Sequence, residues 1–326
     1  MKSAALPSTT SLALFFSLLL ASLAPHLHGG DWEALPPLPQ PNGGFVCCTA
    51  EGRIAIVGGT NWNGGVKNWL KALHEYDPAA RRWTHVRDLE SPVAYGISIQ
   101  NGSALQYLGG SDGKAPSRRL VVVNPVETII AQGIELPPAV VLSAGGMVGE
   151  SIVFTGGTDD AANIAGITRK TYEITREGVQ ERADYPGKPF AVAASAVVGH
   201  ELFVFGGMNQ DASTKEPLNS AEAFAFSPAK NEWRKLRSLP AATRGLSAVA
   251  LDDRHIYLAG GYTSDFSAEA LIYDVKSDSY AKARALPYAA MVGLVKLDGF
   301  VYCLGGEDKK QSRTDKFFRI PLSDLK

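Results

Sequence analysis

Ile54-Ala-Ile-Val-Gly-Gly-Thr60 is a short apolar run closed by two glycines, and it decides the fold because it recurs. Five further copies are Gln106-Tyr-Leu-Gly-Gly110, Val153-Phe-Thr-Gly-Gly157, Phe203-Val-Phe-Gly-Gly207, Tyr257-Leu-Ala-Gly-Gly261 and Tyr302-Cys-Leu-Gly-Gly306. Their first glycines stand at 58, 109, 156, 206, 260 and 305, so the spacing runs from 45 to 54 residues. A period near 50 residues is that of a propeller blade. The apolar run reads as a strand buried on both faces, and the glycines let the backbone turn where a side chain would clash. A lone four-stranded sheet cannot cover its own apolar faces, so the six units need one another.

Between glycine pairs the segments share an order: polar loop, strand, turn, strand often carrying Trp, Pro-containing corner, next inner strand. In the fourth segment Met208 to Asn219 is the expected loop, Ala221 to Ser227 a strand, Asn231 to Leu236 the outer strand and Leu239-Pro-Ala the corner. Tyr76 with Trp83, and Tyr273 with Tyr280, fall in matching slots and are expected to pack between blades, given the apolar area each ring buries. After Gly306 only a loop and one strand, Lys316 to Leu322, remain, whereas Asp31-Trp-Glu-Ala-Leu-Pro-Pro-Leu-Pro39 supplies a Trp strand and corner with nothing before them. Joining the two fragments completes blade six and removes the exposed sheet edges. The expected fold is an all-β, six-bladed kelch-type β-propeller over residues 31–326, its ring closed by an N-terminal outer strand.

Residues 1–30 differ from the rest: Lys2, an apolar stretch from Leu12 to Ala24, and small residues at its end. They read as a signal peptide, which implies export to a periplasm or secretion, with no membrane anchor after its removal. The apolar stretch is short for a bilayer span. A net charge of -1 gives no footprint for nucleic acid or for an anionic membrane. Cys47, Cys48 and Cys303 are too few for a disulfide framework and read as buried small hydrophobes, with a bridge from Cys47 or Cys48 to Cys303 left open. Asn101-Gly-Ser103 matches a glycosylation sequon but reads better as a hairpin turn.

Loops after the glycine pairs and the Pro-containing corners share one face of the ring, where function belongs. The corners bring Asn42, Tyr95, Arg244 and Tyr288, and the first loop brings Trp62 and Lys67. Such hydrogen-bonding groups mixed with rings suit a carbohydrate. The six His residues are scattered without ligand spacing, so no metal is expected, and a copper radical oxidase on a related propeller lacks its His and Tyr cluster here. No Ser elbow stands near a His and Asp pair. The sharpest feature is Glu307 with Arg313. Arg presents a planar fork to a carboxylate, and Glu in a partly dehydrated cleft serves as general acid or base.

Gly306-Glu307 followed by Arg313-Thr-Asp315 resembles the arrangement in kelch-type N-acetylneuraminate mutarotases (epimerases), where it carries the proposed catalytic pair. Asn42-Gly-Gly-Phe45, Ala94-Tyr-Gly96, Trp62-Asn-Gly-Gly-Val-Lys67 and Tyr185-Pro-Gly-Lys-Pro189 are similar to family segments in rotated order, so the chain resembles a cyclically permuted member. The resemblance implies a small-molecule sugar acid as substrate, interconversion of its anomers by Glu307 and Arg313, and no cofactor. Trp62, Lys67, Tyr95, Asn42 and Arg244 are then expected to contact the sugar. Three positions depart from the family: Val93 and Phe190 replace arginines and Ser111 replaces a glutamate. The competing expectation is a non-catalytic propeller that binds a glycan or protein through the same face.

Overall fold

The computed structural model describes Met1 and residues 31–326, apart from 103, 125–127, 131–133, 135, 138–139 and 163. The expected signal peptide lies outside the described residues. Six four-stranded antiparallel sheets form a ring. Each begins on the axis: Val46–Ala50, Ile97–Ile99, Ala144–Val148, Ala194–Val198, Ser247–Ala250 and Met291–Leu297 are the innermost strands of blades one to six. Each touches the next, and the first touches the last. Among the described residues no helix is long and apolar enough to cross a membrane.

The glycine-closed runs are the second strands, buried along nearly their whole length. Both glycines of every pair have positive φ, from 53° to 109°. The second glycine's N–H donates to a corner carbonyl at 2.7–3.0 Å, on Val93, Val140, Phe190, Thr243, Ala290 and Asn42 in turn. That contact repeats six times and fastens each blade to its neighbour. Between blades the core is aromatic: Tyr76, beside Trp83 of its own blade, lies 4.8 Å from Phe317 of blade six, and Tyr273, beside Tyr280, lies 5.2 Å from Phe205 of blade four, as the packing slots predict. All three cysteines are free and buried, and burial pushes the thiols of Cys48 and Cys303 up to about 12, leaving them inert small hydrophobes. The bridge left open from sequence is not formed.

Two loops carry more structure than their sequences predict. Thr60–Asn63 pairs with Val66–Trp69, and Met208–Gln210 pairs with Pro217–Asn219, so hairpins rise after the glycine pairs of blades one and four. Alternating short strands around Gly64-Gly65 and around Lys215 at positive φ account for both turns.

Blade six closes as the fragment reading requires. Glu33–Ala34 pairs with Phe317–Pro321 as the outermost strand. Only two residue pairs form this ladder, extended by Leu35 N–H to Phe317 O at 2.9 Å and Leu38 N–H to Asp315 O at 2.8 Å, and side chains reinforce it. Glu33 accepts from Arg319 at 2.6 Å and from Arg81 of blade one at 2.5 Å, while the Trp32 indole donates to Ala285 O at 2.7 Å. Burial pulls the Glu33 carboxyl up, but the two guanidinium groups outweigh it and hold it below its ordinary value. A carboxyl depressed on folding contributes stability above its unfolded pKa and loses that contribution as pH falls through its folded one. Glu33→Gln is therefore expected to cost about 1–2 kcal/mol at neutral pH. The gap in urea midpoint should close on acidification below the ordinary glutamate range; a gap independent of pH would remove the charge from the clasp.

Candidate functional site at the channel mouth

The axial channel opens on the glycine-pair face through a cavity of about 280 Å³ lined by Glu307, Arg313, Tyr95 and Ser247 among others. Its rim is a chain of left-handed residues: Gly44, Tyr95, Leu142, Val192 and Gly245, with φ between 58° and 69°. Each hands a hydrogen bond to the one before: Tyr95 N–H to Gly44 O at 2.7 Å, Leu142 to Tyr95 at 3.0 Å, Val192 to Leu142 and Gly245 to Val192 at 2.9 Å. Left-handed φ is costly for a β-branched or aromatic residue, so this rim holds strain that the six-fold packing enforces. The relay stops at blade six. There the innermost strand shifts register between Met291 and Gly293, and Met291 pairs directly with Glu307. Glu307 thus enters the mouth at the one blade where the rim is interrupted.

Glu307 ends the second strand of blade six, and Arg313 returns to it from the following loop. Arg313 Nη1 lies 3.1 Å from Glu307 Oε2 and 2.7 Å from Ser312 O, and Nη2 lies 3.4 Å from the Tyr95 hydroxyl. The arginine side chain is only 4% exposed, against 32% for Glu307. Its Nε is buried with no hydrogen-bond partner among the described residues. Gly43 makes this burial feasible, since a Cβ there would stand 2.5 Å from Arg313 Cδ. The carboxylate is therefore the open half of the pair, and the guanidinium is its fixed support.

Tyr95 joins the pair to blade one. Its hydroxyl is 3.3 Å from Thr60 Oγ1, and the Lys67 ammonium sits 4.8 Å from its ring centre and 4.9 Å from that of Trp69. Burial pushes the Tyr95 phenol up, yet the charges of Lys67 and Arg313 with the hydrogen bonds to Lys67 and Thr60 bring it below its ordinary value. Of these charges only Glu307 and Arg313 line the mouth; Lys67, expected to contact the ligand, stands behind the Tyr95 ring and adds its positive field from there.

The remaining expected contacts lie elsewhere. Asn42 is buried, its amide donates to Gly58 O at 2.8 Å, and its own carbonyl accepts from Gly306, so it ties blade six to blade one. Arg244 donates to Asn219 at 3.0 Å and stacks 4.4 Å from the Tyr262 ring, away from the mouth. Trp62 faces Lys67 across its hairpin without lining the cavity. Trp69, which no motif singles out, supports Tyr95 edge-on at 5.6 Å. A signal for it does exist in the sequence, because Lys67 and Trp69 are two apart and share one face of a strand. Of the three departures, Val93 and Phe190 are buried in blade packing, and the Ser111 hydroxyl accepts from Gly113 N–H. Among the described residues no cluster of His, Cys, Asp or Glu has metal-binding geometry.

Fold and mouth together define a kelch-type six-bladed propeller whose channel mouth carries a carboxylate and guanidinium pair. The family model of N-acetylneuraminate epimerase matches residues 135–277, a stretch that ends before Glu307 and Arg313. N-acetylneuraminate epimerase of Pasteurella multocida (strain Pm70) is 30% identical over 149 residues, 44% of this chain and 36% of that protein. The same-named protein of Yersinia pestis (strain Pestoides F) is 24% identical over 179 residues, 43% of this chain and 46% of its own length. Kelch-like protein 36 of Bos taurus is 23% identical over 269 residues, 79% of this chain and 42% of that protein. The chain thus spans less than half the length of each of these relatives. It resembles the N-acetylneuraminate epimerases, on a kelch scaffold.

Proposed function

We propose that the propeller interconverts the α and β anomers of N-acetylneuraminate or a related sugar acid. The observation that carries this reading is the meeting of Glu307, Arg313 and Tyr95 in one mouth. The sugar carboxylate lies against the Arg313 Nη2 edge, with the Lys67 ammonium behind Tyr95 adding to the positive field. Glu307 takes the proton of the anomeric hydroxyl; the bond from the anomeric carbon to the ring oxygen breaks, and that oxygen receives a proton. The open-chain ketone rotates and closes on its other face. Protons are returned at the end, so the reaction is redox-neutral and transfers no group. The Tyr95 phenol, acidified by its cationic neighbours, is the second proton-bearing group within the mouth.

This role for Tyr95 sets a pH dependence. The phenol must be protonated to donate, so turnover falls as pH rises through its pKa. Lys67→Met removes the nearest cation, raises that pKa, and is expected to move the alkaline limb of kcat to higher pH. An alkaline limb that stays in place would leave Tyr95 outside the proton path.

A second reading, a propeller that binds a glycan or protein without turnover, is favoured by the long match to kelch-like protein 36. Anomer exchange measured alongside binding separates the two: a binder holds the sugar acid and leaves its exchange rate at the buffer value.

A further inference from the structure

Beside the mouth lies a second opening on the same face, a cleft of about 630 Å³ that the proposed chemistry does not use. Lys67 and Trp69 form its near wall, the loop of blade two with Ser111 and Lys114 its floor, and Asp159 and Asp160 of blade three its far wall. The two openings share a partition, because the same Lys67 ammonium and Trp69 ring pack on Tyr95, which lines the mouth. Gly113 lies directly on the Trp69 indole, where a Cβ would stand 2.5 Å from Nε1, so the floor is pressed against the partition. The Lys67 ammonium has no ion-pair partner among the described residues, the Lys114 ammonium lies in the field of Asp112, whose carboxylate accepts from Lys114 N–H at 2.8 Å, and the Asp160 carboxylate is oriented by Ala162 N–H at 2.9 Å.

A lysine and an indole on the near wall, a second lysine on the floor and carboxylates on the far wall suit a saccharide unit that bears its own acid group. Its carboxylate would face the lysines and its hydroxyls the aspartates. We propose that this cleft is a second subsite, taking the next unit of a sugar-acid chain whose reducing end sits against Glu307 and Arg313. The inference rests on the reading of the mouth as the sugar-acid site. It makes a glycosidically linked oligomer with a free reducing end the better ligand, the single sugar acid leaving this cleft empty.

The test is calorimetric binding of N-acetylneuraminate and of its glycosidically linked dimer to the full chain, together with NMR of anomer exchange on both. Wild type is expected to bind the dimer about tenfold more tightly than the monomer, the effect of one added charge-assisted contact. Lys114→Ala, remote from Glu307, should abolish that preference and leave monomer exchange as in wild type. Equal affinity for the two sugars, unchanged by Lys114→Ala while the monomer still exchanges, would overturn the second subsite alone. Absence of binding by either sugar would overturn the mouth and the subsite together.

Discussion

Glu307→Gln is expected to slow anomer exchange by about 10² to 10⁴-fold, the range supplied by a positioned general base. Glutamine keeps the shape of the side chain and still offers an oxygen to Arg313, but it takes no proton at neutral pH. The loss should therefore fall on kcat. Arg313 is 4% exposed and is partly neutralised by Glu307 in the wild type, so removing that charge leaves the guanidinium freer to hold the substrate's carboxylate. KM is expected to stay level or fall, the pattern of an interaction required only in the transition state. A rate within about threefold of wild type would remove Glu307 from proton transfer, and the mouth would then be a binding site.

The second large effect concerns the scaffold. Gly58 has φ +65°, and a Cβ there would collide with the carbonyl oxygen of Val93, the acceptor of the Gly59 N–H. Gly52 has nearly the same backbone, φ +72°, in a hairpin turn where an added Cβ would meet nothing within 4 Å. Ala at either site meets the left-handed penalty of about 1–2 kcal/mol, but only Gly58→Ala adds overpacking against backbone, about another 1–3 kcal/mol. Chemical denaturation should show Gly58→Ala destabilised clearly more than Gly52→Ala. Equal losses would mean that glycine is needed in the pairs for its dihedral angles alone, and that the contact between blades is dispensable.

That contact explains why the fold is so legible in the sequence. Each glycine pair meets a main-chain carbonyl of the next blade, so the requirement is for an absent side chain and repeats at every blade. Ring closure is readable for a similar reason: Trp32, Glu33 and the Pro corner at one end complement the lone strand at the other, and the structure joins them through Arg319 and Arg81. The site is readable only in part. Glu307 ends a strand and Arg313 lies in the loop that follows it, so their meeting follows from local chain geometry. Asn42 and Arg244 sit on the expected face, but whether a polar side chain opens to solvent or turns into a blade junction depends on packing among three blades. The hairpins of blades one and four and the left-handed rim have weak local signals; Tyr95, Leu142 and Val192 adopt φ values that their residue types disfavour, and tertiary hydrogen bonds impose them. The departures at Val93 and Phe190 acquire a meaning in the structure, where both fill blade junctions and leave the mouth's charge to Arg313 and Glu307.

The most direct test of the proposed activity is proton NMR of freshly released α-N-acetylneuraminate, with and without catalytic amounts of the wild-type protein. The account predicts that the protein hastens the approach to the α and β equilibrium without changing its position. A time course that superimposes on the buffer blank, at protein concentrations where the sugar is bound, would contradict it.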